Sequence, residues 1–375
     1  MRRQVPRPRP VEVLANLLFG PDEDAPPFPT SLFGSVNAAL EHVLVTALER
    51  QPCFVSFSGG RDSSAVLALT ASVAREHGLP LPTPVIMRFP TAPAADETRW
   101  QELVLAHLRL DNAEVLQLGD ELDTLGPIAT GALRRHGVRW PANAYMHAPI
   151  IELARGGTLL TGIGGDELLG TSAPRRSPRQ LLLATLPRPL RGSLLRRRRR
   201  PAEGYPWLTE EGLLALSQVL AADEVDWPYR WDHALRHWYA SRAFAAMNGA
   251  LGLVAEGRDV HIINPLLTDE VLAALADVGG RQGFPTRNEA MRRLFGSLLP
   301  DDVLTRTTKA VFSSAIWGPS ARAFAAEWDG AGVDPRYVEV NKLRDALRAA
   351  QVDARTLLLV HQAWLHLDRS TTATS

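Results

Sequence analysis

The fold is decided by the stretch CFVSFSGGRDSS at residues 53–64. Its first part, Cys53 to Phe57, is a run of β-prone residues, and a helical pattern begins at Ala65. The glycine-rich and serine-rich string between them lies where a strand passes into a helix. Successive backbone N–H groups at such a junction form a nest for an anion, which the helix dipole stabilises. The stretch therefore predicts a phosphate-binding loop at the end of a strand.

The residue types in this loop indicate which anion it binds. Glycines let the backbone approach a phosphate without an intervening Cβ, and the serine hydroxyls add donors. Asp62 is out of place beside a phosphate unless a cation lies between them, which predicts Mg²⁺. The loop is not the nucleotide-binding loop GxxxxGK[ST], because no lysine follows. A turn that merely caps a helix is the alternative, and it does not account for the whole string.

Strands and helices alternate on both sides of the loop as far as residue 165. Further strands are predicted at 84–89, 113–117 and 158–161, with helices between them. This alternation is typical of an α/β fold with a parallel sheet covered on both faces. Beyond residue 205 no strand is predicted, and the chain is mostly helical. The segments with helical periodicity there are 213–220, 229–254, 270–276, 287–298, 321–328 and 336–367.

The chain is predicted to hold one domain at 36–370, with an α/β core at about 36–175 and a helical part at 205–367. Residues 1–35 are rich in proline and are predicted to form an arm that either wraps around something or trails in solvent. Residues 187–201 form an arginine-rich loop, which we interpret as a solvated surface loop. A dock for an acidic peptide or a phosphorylated group is the alternative, and nucleic acid comes third.

A second glycine-rich string, TGIGGDELLG at residues 161–170, follows the predicted strand at 158–161. Taken alone, it could be a tight turn that starts a helix. Taken with the first loop, it places Asp166 as a second carboxylate for the metal ion.

Composition excludes several classes of protein. The 375 residues carry 41 basic and 41 acidic side chains, so the basic excess of a general nucleic-acid binder is absent. One cysteine, Cys53, can form neither an internal disulfide nor a cysteine-based zinc site. No apolar run is long enough for a membrane span, and no signal-peptide core is present. We therefore expect a cytoplasmic protein.

The two strings together, SGGRDSS and then GIGGDELLG, resemble the synthetase domain of the asparagine synthetase family. That family includes β-lactam synthetase, carbapenam synthetase and the lasso-peptide cyclases. The resemblance covers about residues 36–320, with looser matches at Asp96-Glu97, Glu256 to Arg258, Asn264 to Leu267 and Arg306 to Phe312. It implies a parallel-sheet core of the PP-loop type, similar to the adenine nucleotide alpha hydrolases, with a mostly helical C-terminal half.

The resemblance also implies a reaction, with ATP and Mg²⁺ as cofactors. A substrate carboxylate would form an acyl-adenylate with release of pyrophosphate, and an amine would then form the amide with release of AMP. Lys309, one of only two lysines in the chain, and Glu256 are the implied catalytic residues. Asp62 and Asp166 are the implied metal ligands. The residues implied to bind ATP or pyrophosphate are Ser56, Ser58, Gly59, Gly60, Asp62, Ser63, Ser64, Met87, Gly162 and Gly164.

The general base is the main departure from the family. Ile163 stands where asparagine synthetases have glutamate and β-lactam synthetases have tyrosine, and an aliphatic side chain cannot take a proton from the amine. Glu256, His147, His261 or the substrate itself could serve instead. For each histidine, a structural role in the core or at the surface is the more frequent one.

Two further departures concern the substrate. Residue 2 is not the nucleophilic cysteine of a glutaminase, so we expect no glutaminase domain. Thr268 replaces the aspartate that ends the family's Pro-Phe-Leu-Asp string. Both favour an unusual carboxylate, from a small specialised metabolite or a peptide, joined to an amine.

Three alternatives stay open at this stage. The first is a lasso-type macrocyclisation with a partner protein that delivers the peptide. The second is a tRNA-modifying PP-loop enzyme, although the GIGGDE string argues against it and nucleic acid is not an expected partner. The third is a catalytically degenerate nucleotide-binding scaffold, against which Asp62, Asp166 and Lys309 are all present. A membrane partner is not expected.

Overall fold

The computed structural model describes residues 3–170, 190 and 204–374. The predicted arginine-rich loop at 187–201 lies outside the described residues, apart from Leu190. The expected end of the α/β core at residue 175 lies outside them as well.

One sheet of five parallel strands forms the centre of the fold. The strands are β1 (Cys53–Ser56), β2 (Thr83–Arg88), β3 (Glu114–Gln117), β4 (Thr158–Leu160) and β5 (His261–Ile263). Their order across the sheet is β3-β2-β1-β4-β5, so the chain order reverses beside β1. At such a reversal the connections leave in opposite directions and open a crevice at the carboxyl ends of the two strands.

The predicted α/β class with a parallel sheet is confirmed, but the prediction of no strand beyond residue 205 is wrong. β5 is the missed strand, and it pairs with β4 so that Ile262 lies opposite Leu159. Three residues are too few to show an alternating pattern. The strand is fixed by its neighbour in the sheet, which the local sequence does not reveal.

Helices in the first part of the chain connect the strands and begin at recognisable caps. Ser35, for example, accepts the Ala38 backbone N–H at 3.1 Å at the start of the helix that precedes β1. The helices are α1 (Pro10–Ala15), α2 (Val36–Glu49), α3 (Arg61–Glu76), α4 (Thr98–Leu108), α5 (Pro127–His136), α6 (Ala148–Leu153) and α7 (Gly165–Gly170).

Helices dominate the described part of the second half, as predicted, but two of the predicted segments are divided. The segment 229–254 breaks at Ser241, which caps the second of its two helices, and the segment 336–367 breaks after Leu347. The helices are α8 (Glu210–Asp226), α9 (Trp231–Tyr239), α10 (Arg242–Val254), α11 (Asp269–Gly279), α12 (Arg287–Phe295), α13 (Asp301–Thr305), α14 (Ser313–Ile316), α15 (Pro319–Glu327), α16 (Val340–Leu347) and α17 (Leu357–Thr374).

The sheet is covered on both faces. Val55 of β1 packs into the core formed with α2, α3 and α11, whereas Phe54 packs into a separate core with Ile150 and Ile151 of α6. Strands buried on both faces are hydrophobic in every position, which is why β1 reads as a continuous apolar run.

The proline-rich arm wraps the domain over its described residues. α1 buries Val13 and Leu14, and Glu12 forms a buried ion pair with Arg242 at the start of α10. The Glu12 carboxylate also accepts the Phe19 backbone N–H at 2.9 Å. Removing either partner of such a buried pair would leave a charge without compensation.

Candidate active site

The phosphate loop lies between β1 and α3, at the crevice where the chain order reverses. Ser63 Oγ accepts the Ser58 backbone N–H at 3.2 Å and lies 3.0 Å from Ser58 Oγ. The Gly60 backbone N–H donates to Ser58 Oγ at 3.2 Å. Gln101 of α4 holds the loop from outside, with its Nε2 donating to the Ser58 carbonyl at 3.2 Å. The loop is therefore a closed, hydrogen-bonded ring that begins α3.

Ser64 does not line this crevice, although the sequence places it among the phosphate ligands. Its side chain is fully buried on α3, so its hydroxyl is enclosed by protein. The fourth residue of a helix faces back over the preceding turn and is readily covered by it.

The two glycine-rich strings meet. A Cβ on Gly162 would lie 2.7 Å from the Ser63 backbone nitrogen, and a Cβ on Gly165 would lie 2.2 Å from Asp62 Cγ. Real Cβ atoms do not approach other atoms so closely, so both positions require glycine. The contact brings the second string, which follows β4, directly against the first.

Four charged side chains form a cluster where the strings meet, and we call them the aspartate cluster: Asp62, Asp166, Arg287 and Lys309. Arg287 Nη2 donates to both oxygens of Asp62, at 2.8 and 2.7 Å, and its Nη1 donates to Asp166. Lys309 Nζ donates to the other oxygen of Asp166 at 2.7 Å. The two predicted metal ligands and the predicted catalytic lysine therefore lie in one connected group.

Electrostatics differ between the two aspartates. Burial raises the pKa of Asp62, although Arg287 opposes the shift. Partial burial also disfavours the charge of Asp166, but hydrogen bonds from Lys309 and Arg287 lower the pKa of this carboxyl below its ordinary value. Burial further raises the pKa of Glu167, the next residue along α7.

Arg287 was not identified as a site residue by sequence reasoning. It is the first residue of α12, where the helix dipole disfavours a cation. The local sequence offers one signal, a basic residue in the first turn after the Thr286 cap. That signal does not show which carboxylates the residue pairs with.

A second ion pair supports the phosphate loop from behind, and we call it the buried brace: Arg306, Glu97 and the Gly59 carbonyl. Arg306 Nη2 donates to Glu97 at 2.8 Å, and its Nη1 donates to the Gly59 carbonyl at 2.8 Å. The side chains of Arg306 and Glu97 are only 3% and 7% exposed. The Arg306 guanidinium also lies 4.5 Å from the centre of the Trp100 ring, within the range of a cation–π contact.

A cavity of about 330 Å³ opens beside the loop at the carboxyl ends of β2 and β3. Met87, Phe89, Glu97, Gln101 and Gln117 are among the residues that line it. Its volume is at the lower end of the range for sites that bury a small molecule. Ser56 ends β1 next to β2, opposite Val85.

Glu256 is not brought to this site. It precedes β5 and therefore lies at the amino edge of the parallel sheet, whereas the two glycine-rich strings follow the carboxyl ends of β1 and β4. Its side chain is 63% exposed and lies 3.7 Å from His136 Nδ1. If the family string Glu-x-Arg-x-Pro is aligned on Pro265, its glutamate position falls on His261 and not on Glu256. His261 is the first residue of β5 and lies at the same amino edge of the sheet.

The other candidate bases are no better placed. Burial lowers the pKa of His147 to about 4, so its imidazole is neutral and weakly basic. Ile163 packs against the main core. Thr268 donates to the Pro265 carbonyl at 3.0 Å, and the adjacent Asp269 accepts a hydrogen bond from Tyr239.

The residues present fit a divalent cation bound together with phosphate. Among the described residues, no group of three or more His, Cys, Asp or Glu side chains could hold a metal ion alone. Mg²⁺ commonly takes only one or two carboxylates and completes its shell with water and substrate phosphates. Asp62 and Asp166 supply that number, and one guanidinium reaches both.

The fold and the site define a nucleotide-binding α/β protein of the PP-loop type. The family model described as asparagine synthase matches residues 36–366, and the chain belongs to that family. Family members use ATP, and membership supports an ATP-dependent ligase activity in general. A comparison with curated proteins finds no match. In the part of the chain that the structure describes, no helix is both long and apolar enough to span a membrane.

Proposed function

We propose that the protein forms an amide bond through an acyl-adenylate, with release of AMP and pyrophosphate. The observation that carries this proposal is the contact between the two glycine-rich strings at the reversal of the sheet. It brings Asp62 and Asp166 together beside a phosphate loop and a cavity of small-molecule size.

In this proposal ATP lies across the carboxyl edge of the sheet. The ring formed by Ser58, Gly60 and Ser63 receives the β- and γ-phosphates, and the cavity beside Met87 receives the adenine. Asp62 and Asp166 hold Mg²⁺, which when bound neutralises phosphate charge and orients the nucleotide. Arg287 and Lys309, which contact these two carboxylates, are cations that could reach the phosphates.

The chemistry is then mostly positioning and electrostatic stabilisation. A carboxylate oxygen of the substrate attacks the α-phosphorus, and the bond to pyrophosphate breaks. The amine next attacks the acyl carbon, and AMP leaves. Lys309, which is 78% exposed and held by Asp166, donates to the phosphate oxygens on which negative charge develops.

The substrate in this proposal is a small-molecule or peptide carboxylate, outside housekeeping asparagine synthesis. Ile163 provides no base, and the string Pro265 to Thr268 provides no carboxylate for a free α-amino group. In this scheme the amine enters already deprotonated or passes its proton to the substrate or to water. A partner protein that delivers the carboxylate is compatible with this scheme.

The test is a product analysis with radiolabelled ATP, Mg²⁺ and a metabolite and peptide extract of the source organism. We expect AMP and pyrophosphate that depend on the extract, and loss of both in Asp62→Ala. Asp259→Ala is the matched control, because Asp259 is 78% exposed at the other edge of the sheet. Formation of ADP and phosphate, or AMP formation unaffected by Asp62→Ala, would contradict the proposal.

A further inference from the structure

Arg287 occupies the oxygens that are expected to coordinate a metal ion. Both carboxylate oxygens of Asp62 accept from its Nη2, and one oxygen of Asp166 accepts from its Nη1. The remaining oxygen of Asp166 accepts from Lys309. Every carboxylate oxygen of the pair is thus already paired with a cationic side chain.

A guanidinium and a divalent cation compete for these oxygens. The two positive charges would lie within a few ångströms of each other in a partly buried site, where their repulsion is only weakly screened. Binding of the metal ion therefore requires Arg287 to leave Asp62, because the Arg287 side chain is itself only 19% exposed and has little room beside the aspartates.

An oxyanion is the partner that can draw Arg287 away. The planar guanidinium binds phosphate with two parallel hydrogen bonds, as it binds carboxylate. The phosphate loop lies next to Asp62 in the chain, so a phosphate bound there comes within the neighbourhood of Arg287. The dipole of α12 favours an anion and disfavours the arginine at this helix start, and both effects favour the exchange.

We propose that Arg287 competes with the metal ion, so that Asp62 and Asp166 accept a divalent cation only together with nucleotide phosphate. Arg287 is a positioning residue: it keeps the two carboxylates neutralised and close together until the metal–nucleotide complex replaces it. The identity of the nucleotide rests on the proposed function, whereas the competition itself rests on the observed contacts.

The test is the binding of Mn²⁺, followed by the electron paramagnetic resonance signal of the free ion. Wild type should bind Mn²⁺ with a non-hydrolysable α,β-methylene ATP and not without it. Arg287→Gln should bind Mn²⁺ without nucleotide about tenfold more tightly than wild type, or better. Arg287→Lys should be intermediate, because an ammonium is a single point charge and cannot bridge both aspartates.

Arg292→Gln is the matched control, because Arg292 lies on the same helix and pairs with Asp301 outside the cluster. It should behave as wild type. Thermal unfolding supplies a second readout: Mn²⁺ alone should raise the midpoint of Arg287→Gln and leave that of wild type unchanged. If Arg287→Gln does not fold, Arg287→Lys carries both measurements.

Equal nucleotide-free Mn²⁺ affinity in wild type and the Arg287 variants would overturn the proposal, and so would tight nucleotide-free binding by wild type. Failure of the proposed function gives a different result. In that case no variant binds the ATP analogue, but the difference in nucleotide-free Mn²⁺ affinity between wild type and Arg287→Gln persists.

Discussion

Two arginine–carboxylate groups flank the same phosphate loop, and they differ mainly in burial. In the buried brace, Arg306 and Glu97 are 3% and 7% exposed. In the aspartate cluster, Arg287 and Asp62 are 19% and 18% exposed, and Asp166 is 46% exposed. Similar hydrogen bonds thus form both groups. The buried brace is a permanent support of the loop, whereas in our proposal the ion pairs of the aspartate cluster are replaced when a metal ion binds.

The difference lies in what could replace the arginine. Arg306 is enclosed between Glu97, the Gly59 carbonyl and the Trp100 ring, and its side chain is only 3% exposed, so a ligand has little access to it. Asp62 and Asp166 border the crevice, and in our proposal a metal ion takes the place of Arg287 there. Ion pairs that only support a fold and ion pairs that await a ligand therefore cannot be distinguished by hydrogen-bond geometry alone.

The largest expected effect tests the buried brace. Arg306→Met should lower the free energy of unfolding by about 3–5 kcal/mol, because it leaves the Glu97 carboxylate buried without a partner. Urea denaturation measures this. Arg292→Met is the control, since its exposed pair with Asp301 contributes about 1 kcal/mol or less. A loss no larger than that of the control would show that the brace is not a support.

Lys309→Met tests the catalytic side of the comparison. We expect the rate of amide formation to fall roughly 100- to 1,000-fold, as when one donor to a developing oxyanion is removed. The free energy of unfolding should stay unchanged, because the side chain is 78% exposed. Lys342→Met is the matched control, as Lys342 is the only other lysine and pairs with Glu339. Equal rates in the two variants would refute the role of Lys309.

Asp62→Asn should separate activity from stability. Burial raises the pKa of Asp62, so its ionisation subtracts from the stability of the folded protein at neutral pH. This cost disappears as the pH falls through the raised pKa. At pH 7 the inactive variant should therefore be at least as stable as wild type, and the difference should shrink as the pH approaches 4. Urea denaturation of both proteins across this pH range measures the difference. A variant clearly less stable than wild type at pH 7 would contradict the prediction.

The smallest effect is expected at the opposite edge of the sheet. Glu256→Gln should change the free energy of unfolding by about 0.5 kcal/mol or less, and the rate by about twofold or less. The side chain is mostly exposed, and it precedes β5 at the edge of the sheet opposite to the one that carries the aspartate cluster. A tenfold loss of rate, measured with the same assay as for Lys309, would return Glu256 to the list of catalytic residues.

The sequence predicted the fold class and the two glycine-rich strings because their signals are local. A strand that runs into Ser-Gly-Gly-x-Asp can be recognised without knowing its neighbours. Three features depend on residues far apart in the chain, and no local pattern predicts them: β5, the contact of Arg287 with both aspartates, and the contact of Arg306 with Glu97. Glu256 was misplaced for a related reason: a loosened motif spacing cannot show that a strand lies between the glutamate and Pro265.

The pairing of Glu12 with Arg242 has a consequence for synthesis of the chain. The arm leaves the ribosome before its partner, from which it is separated by 230 residues. At typical elongation rates that distance takes roughly 10 to 50 s to translate. During this interval Glu12 has no Arg242 to pair with, and the helices α8 and α17 that pack against α1 are also incomplete, so the arm can dock fully only after most of the chain has been made.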